Sequence, residues 1–449
     1  MKKVILVLMA SAMLAYSQER KDVDVTIYNT NLGVIKETRE IELKSGTTEV
    51  FIRDVPTGIN TSSVKIGLDG KVLEQNYRYD LANPRSLMQH FIDKKIKLVS
   101  KDATIEGTLI SASGNSVVIN SSDGGLMILP SLEGYNIALD YMPEGLLTKP
   151  TLVWKVQSAK SGKQIADLTY QTSGMSWTAE YVATLNKDDN KLDLNAWVNV
   201  SNNSGGTFKD ANLKLVAGDI NRAGPAARDF GGNYPNLLGS KYSMAEEDLV
   251  EEKKFFEYHI YEVANKTDLL NNENKQIGMF NANDISVKKI FTYNSRGSNV
   301  EKQKPAVSIE FKNSKENNLG LPIPKGIVRI YKDDGESVEL VGEDNVDHTA
   351  KNEEMELRIG EAFDITIDEK VVNSRKISDK VREMEYEIEV RNSKDEDIEV
   401  EINRQLWGNW EVLSTNIDYE KENNNNISFK VKVGENGKNK LTYKIRFVY

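Results

Sequence analysis

The chain of 449 residues contains no cysteine and only three histidines. Disulfides are therefore excluded, and so are cysteine-based zinc, haem and thiol sites. The histidines, His90, His259 and His348, lie in separate segments without the short spacing of a metal-binding motif. We expect a fold held by hydrophobic cores alone, and no cofactor.

Long apolar runs are also missing. The longest lies at the N-terminus, over residues 4–14, which is short of the roughly 20 residues of a membrane helix. Two lysines precede it, and Ala15-Tyr16-Ser17 supplies the small residues of a cleavage site. The pattern predicts a signal peptide over residues 1–17 and export to the periplasm or the outer surface. No transmembrane helix is expected.

Basic residues are outnumbered by acidic ones, 58 against 68, which gives a formal charge of −10. Removal of the signal peptide, with Lys2 and Lys3, moves the charge to −12. An acidic chain without basic blocks argues against nucleic acid and anionic lipid as partners. The expected partner is an unidentified envelope protein or polymer.

What the sequence has in abundance is alternation of apolar and polar residues. Leu192, Leu194, Ala196, Val198 and Val200 form the clearest such run. Period two is typical of half-buried strands, so the sequence predicts an all-β protein of antiparallel β-sandwich domains. The predicted main β domain combines residues 18–82 and 143–370. Residues 371–449 are predicted to fold alone as an immunoglobulin-like sandwich.

An insertion at residues 83–142 separates the two parts of the main domain. Asn83 and Pro84 signal a helix start, and five short strand-like runs follow between residues 95 and 139. One helix and five short strands suggest a small SH3- or Sm-like barrel. Because its lysines are balanced by acidic residues, we interpret the insertion as structural and not as an RNA-binding module.

The strand pattern stops over residues 223–254, where glycines, prolines and acidic residues follow one another. We predict a mobile exposed loop there, because such backbone is rarely buried. Its apolar side chains either bind a partner or pack back onto the parent domain. These candidate interaction residues are Phe230, Tyr234, Leu237, Leu238 and Tyr242.

Catalytic chemistry has one candidate. Asp347 and His348 are adjacent, and an Asp–His pair with a carboxylate such as Glu354 could act as a general base. A nucleophile elbow is missing, so we favour a structural role in which the imidazole hydrogen-bonds a strand end and orders the corner. The five tryptophans raise carbohydrate binding as a further alternative, weighed against their more usual place in sandwich cores.

Seven segments, in order, resemble a family of exported bacterial proteins known as domain of unknown function 4139, itself similar to the mucoidy inhibitor A proteins. The resemblance runs from about Asp22 to Tyr449. The segments are TIYNTNLGVIKETREIEL (26–43), FIRDVPTGINTSSVKI (51–66), PEGLLTKPTLVW (143–154), SGMSWTAEYVATL (173–185), LVAGDINR (215–222), LGLPIPKGIVRIY (319–331) and GEDNVDHTAKNEEMELRIGEAFD (342–364).

The resemblance implies an all-β exported protein without established catalytic residues. Mucoidy-inhibitor-like relatives carry a long coiled coil where this chain has the small insertion, so a coiled-coil function does not carry over. The signature residues that the resemblance implies, with a structural role, are Asp219, Asn221, Arg222, Asp347, His348 and Glu354.

Two function classes therefore remain open. We expect a non-enzymatic interaction or scaffold protein of the cell envelope. The alternative is a hydrolase or carbohydrate-binding protein that acts on envelope polymers.

Overall fold

The computed structural model describes residues 20–79, 83–143, 146–218, 250–255 and 258–449. These residues form thirty-two strands, one short α-helix and one 3-10 turn. The prediction of an all-β protein is confirmed. The predicted signal peptide at residues 1–17 lies outside the described residues.

The elements of the first half, in chain order, are fifteen strands and one helix. They are β1 (Arg20–Tyr28), β2 (Leu32–Leu43), β3 (Gly46–Arg53), β4 (Ile59–Gly67), β5 (Lys71–Arg78), α1 (Pro84–His90), β6 (Lys95–Val99), β7 (Thr104–Ser113), β8 (Ser116–Ser121), β9 (Leu126–Leu129), β10 (Asn136–Ala138), β11 (Thr151–Ser158), β12 (Gly162–Thr172), β13 (Met175–Leu185), β14 (Lys191–Asn202) and β15 (Phe208–Ala217).

The second half contributes seventeen strands and the 3-10 turn Lys315–Asn317. The strands are β16 (Val250–Phe255), β17 (Tyr258–Val263), β18 (Thr267–Leu269), β19 (Glu273–Ser286), β20 (Lys288–Ser295), β21 (Val300–Gln303), β22 (Ala306–Lys312), β23 (Gly326–Asp333), β24 (Val338–Val346), β25 (Glu354–Glu361), β26 (Ile365–Ser378), β27 (Val381–Asn392), β28 (Ile398–Gln405), β29 (Asn409–Thr415), β30 (Tyr419–Lys421), β31 (Asn426–Val433) and β32 (Lys438–Val448).

Burial follows the alternation of the sequence. In β14 the five apolar residues of the alternating run are all buried, while the residues between them, including Trp197, are partly or fully exposed. Side chains of a strand point to opposite faces in turn, so one face of each such strand enters a core.

The chain divides into two compact units. The first contains the described residues up to Ser176, together with Ser201–Val216 and Asn265–Lys275. One sheet has the order β15-β1-β2-β12-β4, with β18 paired to β15. A second has the order β3-β11-β5. Most of these pairs are antiparallel, but β1 and β15 are parallel.

A buried ion cluster lies within the first unit. The side chain of Glu37 is fully buried and contacts the guanidinium groups of Arg20 and Arg39, with Arg39 Nη2 at 2.9 Å. Burial and then the Glu37 carboxylate raise the pKa of Tyr170, whose hydroxyl lies 3.4 Å from Glu37, well above its ordinary value. A buried carboxylate needs such partners, because desolvation of an unpaired charge is costly.

The insertion at residues 83–142 contains the predicted helix and five strands. Asn83 caps α1 by accepting a hydrogen bond from the Ser86 amide at 3.0 Å. The strands form one sheet in the order β10-β6-β7-β8-β9. Its core is Met88, Phe91, Ile96, Leu98, Leu109, Val117, Ile119 and Leu129.

This sheet is open, so the structure differs from the predicted SH3- or Sm-like barrel. In the described chain β9 pairs only with β8, and β10 pairs only with β6. Closure of a barrel requires a partner on both sides of every strand. The four residues of β9 and the three of β10 leave the sheet with two free edges.

The second unit contains Trp177–Val200 and the described residues of Ala217–Ala264 and Gln276–Tyr449. Its three sheets have the orders β19-β14-β13-β23-β24, β25-β22-β20-β28-β31-β30 and β21-β26-β27-β32-β29. Strands β16 and β17 form an antiparallel hairpin. Two parallel pairs, β13 with β23 and β20 with β28, interrupt the mainly antiparallel arrangement.

The last two sheets pack as a sandwich around a single core. Tyr386, Tyr443 and Phe429 lie at its centre, with ring centroids of neighbouring rings 5.0 Å apart. The core also takes Phe291 from β20 and Ile367 from β26. The predicted domain start at Val371 therefore falls inside β26, and the sandwich uses strands that precede it.

The carboxylate of Glu369 is completely buried in this sandwich. Glu369 accepts hydrogen bonds from the Tyr293 hydroxyl at 3.1 Å, the Ser295 hydroxyl at 2.8 Å and the Gly297 amide at 2.7 Å. These donors satisfy a charge that the core would otherwise exclude. The carboxylate holds the segment after β20 against β26.

Candidate functional site

Two loops that carry parts of the resemblance meet in the second unit. The first follows β22 and the second joins β24 to β25. Ile323 and Thr349 form an isolated antiparallel bridge between them, with two N–H···O bonds of 2.9 Å. We call residues 313–325 together with 347–354 the signature corner.

Asn313 connects the two loops. Its side chain is completely buried, and its Nδ2 donates to the Leu321 carbonyl at 2.7 Å and to the Ala350 carbonyl at 2.9 Å. Its Oδ1 accepts from the Gly320 amide at 2.9 Å. Because one amide side chain satisfies backbone groups of both loops, their relative position is fixed.

The backbone of Asn313 adds two further bonds to the second loop. Its amide donates to the Glu353 carbonyl at 2.9 Å, and its carbonyl accepts from the Asn352 amide at 2.7 Å. Asn352 has a φ of +70°, a left-handed conformation that asparagine tolerates better than most residues. The residue types present therefore suit this tight arrangement.

Two tyrosine hydroxyls donate hydrogen bonds to backbone carbonyls of the segment Leu321–Pro324. The Tyr261 hydroxyl donates to the Pro322 carbonyl at 3.1 Å, and the buried Tyr181 hydroxyl donates to the Pro324 carbonyl at 2.7 Å. Burial and then Tyr261 raise the pKa of Tyr181 well above its ordinary value. Tyr181 is therefore a neutral hydrogen-bond donor at physiological pH.

His348 lies at the surface of the corner and has the kind of contact predicted from the sequence. Its Nδ1 accepts a hydrogen bond of 3.1 Å from the Lys325 amide, at the start of the chain that leads into β23. The Thr349 hydroxyl donates to the Asp347 carbonyl at 2.9 Å. The side chains of Lys325 and Asp347 are largely exposed and approach to 3.9 Å.

The position of the His348 ring bears on the catalytic alternative. A general base oriented by an aspartate donates its Nδ1 hydrogen to that carboxylate. In His348 the same nitrogen is an acceptor, so its neutral ring carries the proton on Nε2. This contact orders the loop against the start of β23.

The remaining signature residues have different places. Glu354 is exposed at the start of β25, opposite Lys312 of β22. Asp219, Asn221 and Arg222 lie outside the described residues. The same holds for the candidate interaction residues Phe230, Tyr234, Leu237, Leu238 and Tyr242, and for most of the predicted loop at 223–254.

Sequence reasoning missed Asn313, although a signal for it exists. The chain repeats Asn-Ser-Lys followed by an acidic residue at 313–316, directly after β22, and at 392–395, starting on the last residue of β27. Asn392 is also buried, and its Nδ2 donates to the carbonyls of Glu396 at 2.8 Å and Gly434 at 3.0 Å. The repeat of this motif at two strand ends indicated that Asn313 and Asn392 have the same structural role.

The first unit contains a third asparagine of this kind. Asn202 ends β14 and is buried, and its Nδ2 lies within 3.1 Å of the carbonyls of Gly206, Leu269 and Leu270. Its Oδ1 accepts from the Ser204 hydroxyl at 2.7 Å. We call Asn202, Asn313 and Asn392 the staple asparagines.

The tryptophans separate into buried and exposed ones. Trp154 and Trp177 are fully buried, and Trp154 donates from Nε1 to Gln75 Oε1 at 3.0 Å. Trp407, between β28 and β29, is 67% exposed. Of the five, Trp407 is the one whose ring faces are broadly accessible in the described structure.

The described residues contain no group of three histidine, aspartate or glutamate side chains placed to hold a metal ion. Within the same residues, no helix has the length and apolar character needed to cross a membrane.

The fold and the corner together define a class: an all-β protein of sandwich-like sheets, with its signature loops locked by a buried asparagine. Within that class, the chain belongs to the family described as Domain of unknown function (DUF4139), which matches residues 166–449. The match includes the whole signature corner and the C-terminal sandwich. No curated protein matches the chain.

Proposed function

We propose that this chain is an exported protein of the cell envelope that acts by binding a partner, with the signature corner as its recognition surface. The observation that carries the proposal is the use of Asn313. Its five hydrogen bonds hold two loops in one fixed arrangement. A surface ordered before binding loses less conformational entropy when the partner arrives.

The side chains on the outside of the corner are chemically mixed. Leu321 is apolar and partly exposed, Lys325 and Asp347 are charged, and His348 adds an imidazole. An apolar residue beside charges of both signs is typical of a protein-binding surface with a polar rim. We therefore favour an envelope protein over a polymer as the partner, and binding over catalysis.

Photo-cross-linking in living cells tests the recognition surface. A photoreactive amino acid at Leu321 or Lys325 is expected to capture the same species from the envelope. The control is the same amino acid at Lys432, an exposed residue of the C-terminal sandwich. Equal yields of all adducts from the three positions would contradict a role for the corner.

Export is proposed from the N-terminal pattern, namely Lys2 and Lys3, the apolar run at 4–14 and the small residues before Gln18. The protein recovered from the envelope fraction is expected to begin at Gln18. Sequencing its N-terminus measures this directly. Recovery of the chain with Met1 intact would contradict export by this signal.

A further inference from the structure

The open sheet of the insertion has an unusual edge. Strand β9 consists of Leu126, Met127, Ile128 and Leu129, and it is the one strand of the described chain in which every residue is apolar. Leu126 is 72% exposed, Met127 38% and Ile128 70%. Edge strands of natural proteins normally lack such exposed apolar residues, because an apolar free edge can pair with another chain.

The other edges of the described sheets are protected. Apart from the three-residue β10, each has at least one charged residue within its edge strand. Charged side chains on an edge prevent the pairing of its free N–H and C=O groups with another chain. Strand β9 has neither a charge nor a proline, so this edge is available for pairing.

The two faces of β9 are set by its register with β8. Met127 and Leu129 lie opposite Ile119 and Val117, which are buried, so they point to the core side. Leu126 and Ile128 point to the outer face. Ile110, at a bulge in β7, is a further exposed apolar residue of this sheet.

We propose that β9 pairs with β9 of a second copy of this chain, so that two five-stranded sheets join into one of ten strands. Pairing about a two-fold axis perpendicular to the sheet keeps core-side residues on the core side. Met127 then lies opposite the second copy's Met127, and Leu126 lies opposite the second copy's Ile128. A register centred on Ile128 would bring Pro130, which has no N–H, into the ladder.

Charge supports a second copy as the occupant. The chain carries a net −10, so two copies repel each other overall, and a contact between them is favoured where neither surface carries a charge. In the proposed register the nearest charged residue, Asp123, faces Ser131 of the second copy, and no two carboxylates meet. Strand β9 carries no charge, so two copies of it can pair without electrostatic repulsion. A cationic partner would find no opposite charge on this strand.

The absence of cysteine makes the register measurable. In the variant Met127→Cys the two new thiols are the only ones present, and antiparallel partners have Cα atoms about 4.5–5.5 Å apart, within reach of a disulfide. Mild oxidation is expected to convert most of this variant into a covalent dimer. Met142→Cys is the matched control, since Met142 is an exposed methionine of the same insertion outside β9.

Sedimentation equilibrium of the unaltered mature chain provides the second measurement. The chain is expected to dimerise, and Ile128→Lys is expected to weaken the dimer at least about tenfold by placing a cation on the edge. A monomer at every concentration would overturn the proposal. So would a dimer whose Met127→Cys variant cross-links no faster than Met142→Cys.

Discussion

Buried amides join distant backbone segments of this chain, a role that disulfides or bound metals have in many other proteins. The staple asparagines each join backbone segments distant in sequence, such as Asn202 with Leu269. A hydrogen bond contributes only about 1 kcal/mol net, but an unsatisfied buried group costs roughly 1–3 kcal/mol. Loss of a staple therefore costs more than the sum of its bonds suggests.

The variant Asn313→Ala tests this at one residue. It leaves the Gly320 amide and the carbonyls of Leu321 and Ala350 without their partner. We expect the free energy of unfolding to fall by roughly 2–4 kcal/mol, measured by urea titration. The exposed Asn281 is the control, and Asn281→Ala is expected to change stability by less than about 0.5 kcal/mol. Equal effects of the two variants would contradict the staple role.

At the scale of elements, the outer face of the sheet that contains β27 and β32 is a ladder of opposite charges. Glu383 contacts Lys444 and Arg446, both at 2.7 Å, and Glu387 contacts Lys440 at 2.9 Å. Glu383 and Arg446 stand directly opposite each other on the two antiparallel strands, and the other two pairs are diagonal neighbours across them. Glu383 is buried, whereas its cationic partners and the Glu387–Lys440 pair are partly exposed, and partly exposed pairs contribute little singly. The ladder therefore matters mainly for register and for acid stability.

Arg391 is the residue through which acid sensitivity of this face can be tested. Its hydrogen bonds lower the pKa of Asp368 and the pKa of Glu389 below their ordinary values. A carboxylate whose pKa is lower in the folded state stabilises the fold above its ordinary pKa. That stabilisation is lost as the pH falls through the lowered value.

The variant Arg391→Gln is therefore expected to be less stable than the unaltered protein at neutral pH. Its disadvantage should shrink on acidification from about pH 6 to about pH 3. Urea midpoints at several pH values measure this. Lys432→Gln, which removes a pair 4.0 Å apart, serves as the control and should show little pH-dependent difference. A constant gap for Arg391→Gln across the range would contradict the linkage.

Individual elements were predictable where one physical rule decided them. Period-two alternation gave β14, and the Asn83-Pro84 signal gave the start of α1. The parallel pairs, such as β20 with β28, were not predictable because alternation does not encode which strand lies beside which. The sequence predicted a closed barrel where the sheet is open, for the same reason. The five strand patterns do not show whether β9 pairs with β10.

The candidate site was predictable in part. The Asp347-His348 turn stood out in the sequence, and the contact of His348 with the start of β23 fits the structural role expected of it. Asn313 did not stand out, because an asparagine after a strand usually marks only a turn. Its burial depends on the second loop, 34 residues or more away along the chain, which the local pattern cannot show.

At the scale of the whole molecule, the division of the chain differs from simple consecutive domains. Each of the two compact units combines segments that are distant in sequence. The C-terminal sandwich likewise combines β20, β22, β25 and β26 with the strands after residue 371. Folding of either unit requires contacts between segments far apart in the chain, which is typical of slowly folding β-proteins.

A fragment of residues 371–449 tests where the sandwich begins. The sequence pattern alone predicts that this fragment folds. The shared core leads us to expect the opposite, because Phe291, Tyr293, Ile365 and Ile367 would be missing from it. Residues 287–449 include these side chains and are expected to melt cooperatively in circular dichroism. A cooperative melt of the shorter fragment would contradict the expectation.

Two of the staple asparagines, Asn313 and Asn392, are followed by serine and bear on how the protein ages. An asparagine followed by serine is open to spontaneous deamidation, in which the next backbone nitrogen attacks the side-chain amide. At Asn313 that nitrogen, from Ser314, donates to the Lys312 carbonyl at 2.9 Å, while the amide itself is fixed by two loops. The folded corner therefore keeps the Ser314 nitrogen from attacking the side-chain amide of Asn313. Where the corner opens, conversion to aspartate would replace two donors with a negative charge and prevent its closing again.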